Sequence, residues 1–192
     1  VAAAGAQRAL FPLHVRNQQV YWTSVGIAAA RQKSVLDEFG NLEAWKGAPM
    51  LQPLWRTSEG SLVAAHAGSP KHALREGWLP MPSVQWSPQP QLSVRSEAFA
   101  LEQGGQPVTL LRHRLQNTGK QRIEGELLLL LRPSQINPLW QYGGASPIHD
   151  VALEGPASDT LVRVNGRTLL RSLRTVQSRG AASFGAHGEG EL

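Results

Sequence analysis

The chain has 192 residues, of which 41% are hydrophobic and 17% charged, a composition typical of a globular domain rather than a disordered or collagen-like chain. It contains no cysteine, which excludes disulfide scaffolds, thiolate-bound metals and thiol catalysis. The formal net charge is +5, and six Trp stand against four Phe and two Tyr. Trp is used in sandwich cores and as a flat platform for sugar rings, so this surplus needs an explanation.

The positive charge does not by itself indicate a nucleic-acid surface. The arginines are scattered, as at Arg16, Arg56 and Arg163, and the densest group, at 112–122, lies on a predicted hairpin without Trp, Tyr or Phe. Nucleic-acid binding needs clustered cations, and single strands also need stacking rings. We therefore interpret these charges as a solvated sheet face and expect no nucleic-acid partner.

No membrane span is expected, because the longest apolar run, at 127–131, is far shorter than the roughly 18 residues that a spanning helix needs. The first residue is Val1 rather than methionine. We therefore expect the chain to be a fragment trimmed from a longer protein.

Short strand patterns separated by Gly, Pro, Asn and Ser recur along the chain and are typical of an all-β sandwich or barrel. Residues 1–14 are weakly patterned and form an N-terminal segment. The first strand is predicted within residues 15–27. Residues 35–45 predict a hairpin that turns at 39–41, because a Gly-Asn pair at that point would weaken a helix.

A second hairpin is predicted within residues 51–65, and one short helix follows it. Ser69 suits the N-cap, Pro70 the first helical position and Gly77 the exit. These signals place the helix at 71–76.

The next segment, 78–86, contains Pro80 and Pro82, which favour an extended chain outside a central strand. Alternating polar and apolar residues then predict two strands, at 92–100 and 108–115, joined by a Gly-Gly turn.

The run of five leucines at 127–131 is typical of a strand covered on both faces. Further on, Asn165-Gly166 predicts a tight hairpin, because both central positions of a type I′ turn need positive φ. Residues 176–192 are rich in Gly and Ala and predict a frayed tail or a truncated strand. The β-sandwich domain is accordingly predicted to span residues 15–175.

A loop at 134–147 is longer than most connections, and such loops are often functional. It contains Asn137, Trp140, Gln141 and Tyr142, which combine flat rings with planar amides. Sugar recognition uses that combination, so these residues are candidates for glycan contact. The alternative is that Trp140 anchors the loop to the core.

No catalytic or cofactor motif is present. Glu124 and Glu126 share a strand face, which is more typical of a solvated edge than of a glycosidase pair. No histidine pair has metal-ligand spacing, and no phosphate loop or dinucleotide fingerprint occurs. His113 is predicted as a core histidine and His149 as a turn residue. We therefore expect no metal, no cofactor and no catalytic residue in this chain.

Three segments together resemble a family of large bacterial carbohydrate-active proteins. These segments are VYWTSVG at 20–26, GWLPMPSVQW at 77–86 and LRPSQINPLWQ at 131–141. The proteins are often labelled as containing coagulation-factor 5/8-type (discoidin) domains. They are similar to six-hairpin glycosidases, in which a β-sandwich precedes an (α/α)6 toroid.

The resemblance implies that this chain is the sandwich region, a large antiparallel supersandwich of the galactose-mutarotase type. Such a domain would be non-catalytic and would pack beside a catalytic (α/α)6 domain of the same polypeptide. A glycan contact would then involve the long loop, with Trp78 and Trp86 nearby. A periplasmic or secreted location is implied as well.

Two other functions stay open. The domain could be an independent carbohydrate-binding module, or a mutarotase-like enzyme on the same kind of sandwich. The enzyme would need a histidine, His113 or His149, and a carboxylate that converge in one cleft.

Overall fold

The structure is a computed structural model that describes residues 18–28, 30–181, 183–184 and 190–191. The chain divides into two compact units, Val1–Ser146 and Pro147–Leu192. About 52% of the structure is strand and about 6% helix, and no helix of the described residues reaches seven residues. The predicted all-β sandwich class is confirmed.

The first sheet of the first unit is antiparallel and has six strands. They are β1 (Trp22–Val25), β2 (Ser34–Asp37), β3 (Leu42–Glu43), β4 (Met50–Thr57), β5 (Leu62–Ala64) and β10 (Gly125–Arg132). β10 pairs along one edge of β4, and β3 and β5 share the other edge. β2 and β1 extend the sheet beyond β3.

The second sheet of this unit is a four-stranded antiparallel meander. It consists of β6 (Lys71–Arg75), β7 (Leu79–Gln89), β8 (Leu92–Gln103) and β9 (Gln106–Asn117). Each strand pairs with the next along the chain. The long β8–β9 hairpin turns at Gly104-Gly105, both with positive φ, as the Gly-Gly pair predicted.

The two sheets bury a shared core. Trp55 of the first sheet lies in one cluster with Trp86, Leu92 and Val94 of the second sheet. A second cluster, under the long loop, joins Val20 and Met50 to Ile136. Side chains that interdigitate from two facing sheets are the signature of a sandwich.

The helix predicted at 71–76 is wrong, because these residues form β6 and the turn that follows it. Glu76 and Gly77 both have positive φ, and Trp78 N donates to Arg75 O. This geometry is a type I′ hairpin turn, for which a glycine is as suitable as it is for a helix exit. Pairing with β7 therefore overrode the capping signals.

The prediction that residues 78–86 avoid a central strand is also wrong, because β7 lies between β6 and β8. Pro82 pairs with Leu74 of β6, whereas the pairing with β8 begins only at Ser83. The prolines thus occupy a stretch with one neighbour, where a missing N–H does not interrupt a second ladder.

The leucine run does not form a strand covered on both faces. β10 pairs with β4 alone among the described residues, and Leu129 is exposed. Leu127 packs against the Trp55 cluster. The continuous apolar pattern thus belongs to a sheet edge in this chain.

The predicted hairpin at 35–45 is confirmed, with Gly40 at the turn. In the second unit, β11 (Val151–Glu154), β12 (Leu161–Val164) and β13 (Arg167–Arg171) form a three-stranded sheet. Its β12–β13 turn is Asn165-Gly166, both with positive φ, as predicted.

The backbones of β14 (Ser183–Phe184) and β15 (Gly190–Glu191) pair with each other in the predicted tail. Tail residues 182, 185–189 and 192 and the predicted N-terminal segment 1–14 lie outside the described residues. Three short 3-10 helices, at Ala65–Ala67, Leu139–Gln141 and Ala157–Asp159, occur in the described part of the chain. Within that part no helix is long and apolar enough to cross a membrane.

Candidate functional site

The long loop after β10 is closed by its own backbone. Ser134 and Ala145 form a β-bridge, Gln135 N donates to Gly144 O, and Gly144 N donates to Asn137 O. A Cβ on Gly143 would lie 1.8 Å from Asn137 O, so this close approach requires glycine. Backbone hydrogen bonds therefore close the loop, and its tip is the 3-10 helix Leu139–Gln141.

The side chain of Gln141 ties the loop tip to the segment before β1. Its Oε1 accepts from Val20 N at 3.2 Å, and its Nε2 donates to Val20 O at 3.4 Å. The amide thus pairs with Val20 as a neighbouring strand residue would. Gln141 is an anchor, and through it the loop lies beside β1.

The side chain of Glu43 binds the backbone near the start of the loop. It is only 3% exposed, its Oε1 accepts from Gly47 N at 2.8 Å, and its Oε2 accepts from Ile136 N at 3.1 Å. Both oxygens of this buried carboxylate are therefore occupied by backbone donors. The arrangement suits a structural tether rather than a catalytic acid or base.

A cavity of about 270 Å³ lies between the loop and the first sheet. Its lining residues are Trp22, Lys33, Val35, Glu43, Lys46, Asn137, Gln141 and Tyr142. Trp22 is 45% exposed and Tyr142 89%, so each aromatic side chain presents ring surface to solvent. The volume is close to the lower end of the range of small-molecule pockets, roughly 300–1,000 Å³.

Asn137 lines this cavity with its side chain. Its Oδ1 is buried and has no hydrogen-bond partner among the described residues, whereas its main-chain oxygen accepts from Gly144 N. An unpaired buried carbonyl costs about 1–3 kcal/mol of free energy. Because Oδ1 has almost no accessible surface, a ligand reaches it only if the Asn137 side chain reorients.

Two lysines complete the polar part of the cavity wall. Lys33 Nζ donates to Ile27 O at 2.5 Å and to Ala30 O at 2.9 Å. Lys46 Nζ donates to Tyr142 O. Both ammonium groups are thus positioned by backbone carbonyls.

The residues predicted for glycan contact are distributed over three environments. Asn137, Gln141 and Tyr142 line the cavity, whereas Trp140 is 52% exposed on the adjacent 3-10 helix and is not part of the lining. Trp78 is 70% exposed at the β6–β7 turn. Trp86 is 4% exposed in the core between the sheets, so its ring is not available to a ligand.

Sequence reasoning missed Trp22, Lys33 and Lys46 as members of a site. They come from β1, from the residue before β2 and from the turn after β3. No local spacing links them to the loop at 134–147. Only the sequence VYWTSVG pointed to the segment that contains Trp22, and it did so by resemblance rather than by chemistry.

His113 and His149, the two histidines considered for a mutarotase-like enzyme, have no carboxylate partner among the described residues. His113 Nδ1 lies 2.9 Å from Ser96 Oγ, and burial lowers the pKa of His113 to about 4. The backbone N–H groups of His149 and Asp150 donate to Asn165 Oδ1 in the second unit. No carboxylate of the described residues hydrogen-bonds to either imidazole, and no group of three His, Asp or Glu there could hold a metal.

The acidic residues considered for catalysis lie in exposed ion pairs. Glu126 of β10 is paired with Arg56, which stands opposite it on β4. Glu124 is paired with Arg122 at 2.9 Å. These contacts fit the predicted solvated edge.

Asp37 is a different kind of acidic residue, because it is buried at the end of β2. Its Oδ1 accepts from Phe39 N and Asn41 N, and its Oδ2 accepts from Asn41 Nδ2 at 2.6 Å. Desolvation raises the pKa of Asp37 to about 7, although these donors act in the opposite direction. The side chain closes the β2–β3 hairpin and does not line the cavity.

The chain was compared with protein-family models, curated proteins and solved structures, and none of them matches it. The resemblance to bacterial carbohydrate-active proteins therefore depends on the three sequence segments alone.

Proposed function

We propose that this chain is a non-catalytic β-sandwich domain of a carbohydrate-active protein, and that it binds a saccharide in the cavity between Trp22 and Tyr142. In the parent protein it would lie beside a catalytic (α/α)6 domain, as the sequence resemblance implies. The observation that carries the proposal is that two exposed aromatic side chains, Trp22 and Tyr142, line one cavity together with Asn137.

The chemistry of the lining suits a sugar. A pyranose presents a face of C–H groups, which packs against an aromatic ring, and a rim of hydroxyl groups, which need donors and acceptors. Trp22 and Tyr142 supply the rings, and Asn137 supplies a side-chain amide to the lining. Lys33 and Lys46 supply donors.

The same lining supports a binding role without catalysis. Glu43 is its one carboxylate, and both oxygens of Glu43 accept backbone N–H groups. A glycosidase needs two carboxylates that flank the bond to be cleaved. The described cavity therefore suits recognition rather than hydrolysis.

Calorimetry with a panel of plant and bacterial oligosaccharides tests the proposal. We expect at least one of them to bind, and Trp22→Ala to weaken that binding about tenfold or more, which corresponds to about 1.4 kcal/mol. Trp78→Ala is the matched control, since it removes another exposed Trp, at the β6–β7 turn of the other sheet. Absence of binding across the panel, or an equal loss with Trp78→Ala, would contradict the proposal.

A further inference from the structure

We infer that the preferred ligand of this cavity is an acidic saccharide, whose carboxylate or sulfate binds between Lys33 and Lys46. The inference deepens the proposed function and depends on it. The proposed function specifies a saccharide, and the inference specifies that this saccharide is anionic.

The first argument is the charge of the lining. The cavity wall includes two lysines and one glutamate. The Glu43 carboxylate is buried and its negative charge is already stabilised by the Gly47 and Ile136 N–H groups. A cavity wall with uncompensated positive charge favours an anion.

The second argument is what the lysines lack. Within the described part of the chain, neither Lys33 nor Lys46 is in an ion pair. By contrast, Arg56, Arg112, Arg122 and Arg171 are each paired with a carboxylate. The chain has four lysines, and two of them line this one cavity.

The third argument is that both ammonium groups are held in place by hydrogen bonds and still have unused N–H donors. An ammonium group has three N–H donors. Lys33 uses two on Ile27 O and Ala30 O, and Lys46 uses one on Tyr142 O, so each retains at least one donor for a ligand. Because backbone carbonyls already orient both groups, less side-chain entropy is lost when an anion binds.

The fourth argument concerns the rest of the ligand. The exposed rings of Trp22 and Tyr142 line the same cavity as the two lysines. A saccharide with an acidic group matches the lysines through that group and the rings through its C–H face. A free phosphate or sulfate ion would leave the aromatic rings unused.

Calorimetry with three matched trisaccharides tests the inference: a galacturonic acid trimer, its methyl ester and a sulfated galactose trimer. We expect one acidic trimer to bind about tenfold tighter than the ester, and higher salt to reduce this preference, because charge-assisted hydrogen bonds distinguish the probes. The two acidic trimers separate a carboxylate ligand from a sulfate ligand.

Lys46→Gln should remove the preference for the acidic trimer while binding of the ester stays within about twofold. Lys71→Gln, at an exposed lysine of β6, is the matched control and should leave both affinities unchanged. Lys46→Arg keeps the charge and should retain most of the preference, which separates charge from packing. Lys33→Gln provides an independent second variant if Lys46→Gln does not fold.

The outcomes separate the inference from the proposed function. Equal binding of acid and ester, with a loss on Trp22→Ala, would overturn the inference and leave saccharide binding intact. A preference for acid that persists in Lys46→Gln and Lys33→Gln would also overturn it. No binding of any probe in this test or of the wider panel would contradict the proposed function itself.

Discussion

The side-chain amide of Gln141 forms two hydrogen bonds with the backbone of Val20, 121 residues earlier in the chain. This pairing brings the loop after β10 beside β1 and so creates the wall between Trp22 and Tyr142. The cavity depends on a contact between distant segments rather than on any motif.

Replacing Gln141 by Leu should loosen this wall. The two hydrogen bonds each contribute about 0.5–1.5 kcal/mol, so we expect the free energy of unfolding to fall by about 1–3 kcal/mol. Saccharide affinity should fall as well, because Tyr142 follows the anchor directly. Urea denaturation and calorimetry measure the two effects. Gln116→Leu, at an exposed position of β9, is the control and should change neither. An unchanged affinity in Gln141→Leu would disprove the positioning role.

Glu43→Gln tests the buried tether. The carboxylate accepts from Gly47 N and Ile136 N, whereas an amide has only one oxygen and leaves one of these donors facing its NH2 group. We expect a loss of about 1–3 kcal/mol in the free energy of unfolding, measured by urea denaturation.

Glu126→Gln on β10 is the matched control for that substitution. Glu126 forms a surface ion pair with Arg56, so its replacement should cost about 0–1 kcal/mol. If Glu126→Gln destabilised the protein as much as Glu43→Gln, the tether would have no special role.

Asp37 and His113 should have opposite effects on stability between pH 4 and 6.5. The folded state raises the pKa of Asp37 to about 7, so the stability that protonated Asp37 contributes is present below about pH 4 and is lost as the pH rises to 7. The folded state lowers the pKa of His113 to about 4, so its contribution is present above about pH 6.5 and is lost as the pH falls to 4. Each residue changes the free energy of unfolding by at most about 1.4 kcal/mol per pH unit, and in the wild type these two pH dependences nearly cancel.

Replacing one of the two residues should make the pH dependence caused by the other measurable. In Asp37→Asn the His113 effect remains, and the free energy of unfolding should rise with pH across this window. In His113→Asn the Asp37 effect remains, and the same quantity should fall. Urea denaturation at four pH values measures the slopes independently of any change in absolute stability. Slopes of equal sign in the two variants would refute the assignment.

Two tryptophans of the same extended segment should respond very differently to truncation. Trp86 lies in the core with Trp55 and Val94, so Trp86→Ala should lower the free energy of unfolding by about 3–5 kcal/mol. Trp78 is exposed at the β6–β7 turn, and Trp78→Ala should stay within about 0.5 kcal/mol of the wild type. A large fall in the free energy of unfolding of Trp78→Ala would contradict the exposed position of this ring.

Local signals predicted the hairpins well, but they were wrong for the segments 71–76, 78–86 and 127–131. Gly104-Gly105 and Asn165-Gly166 form tight turns because Gly and Asn adopt positive φ more readily than other residues do. Ser69, Pro70 and Gly77 indicated a helix, yet each of them is also compatible with a hairpin, and pairing of β6 with β7 decided between the two. The leucine run of β10 was misjudged for a similar reason, since apolar continuity does not say how many neighbours a strand has.

By itself the sequence determined the all-β class, most turns and the long loop with Asn137, Gln141 and Tyr142, because these follow from turn chemistry and alternation over a few residues. Only the tertiary structure decided which tryptophans are core and which are surface. It also decided that Trp22, Lys33 and Lys46 meet that loop at one cavity. The physical reason is that sheet pairing and the Gln141–Val20 bonds act between residues far apart in the chain, where no spacing rule applies.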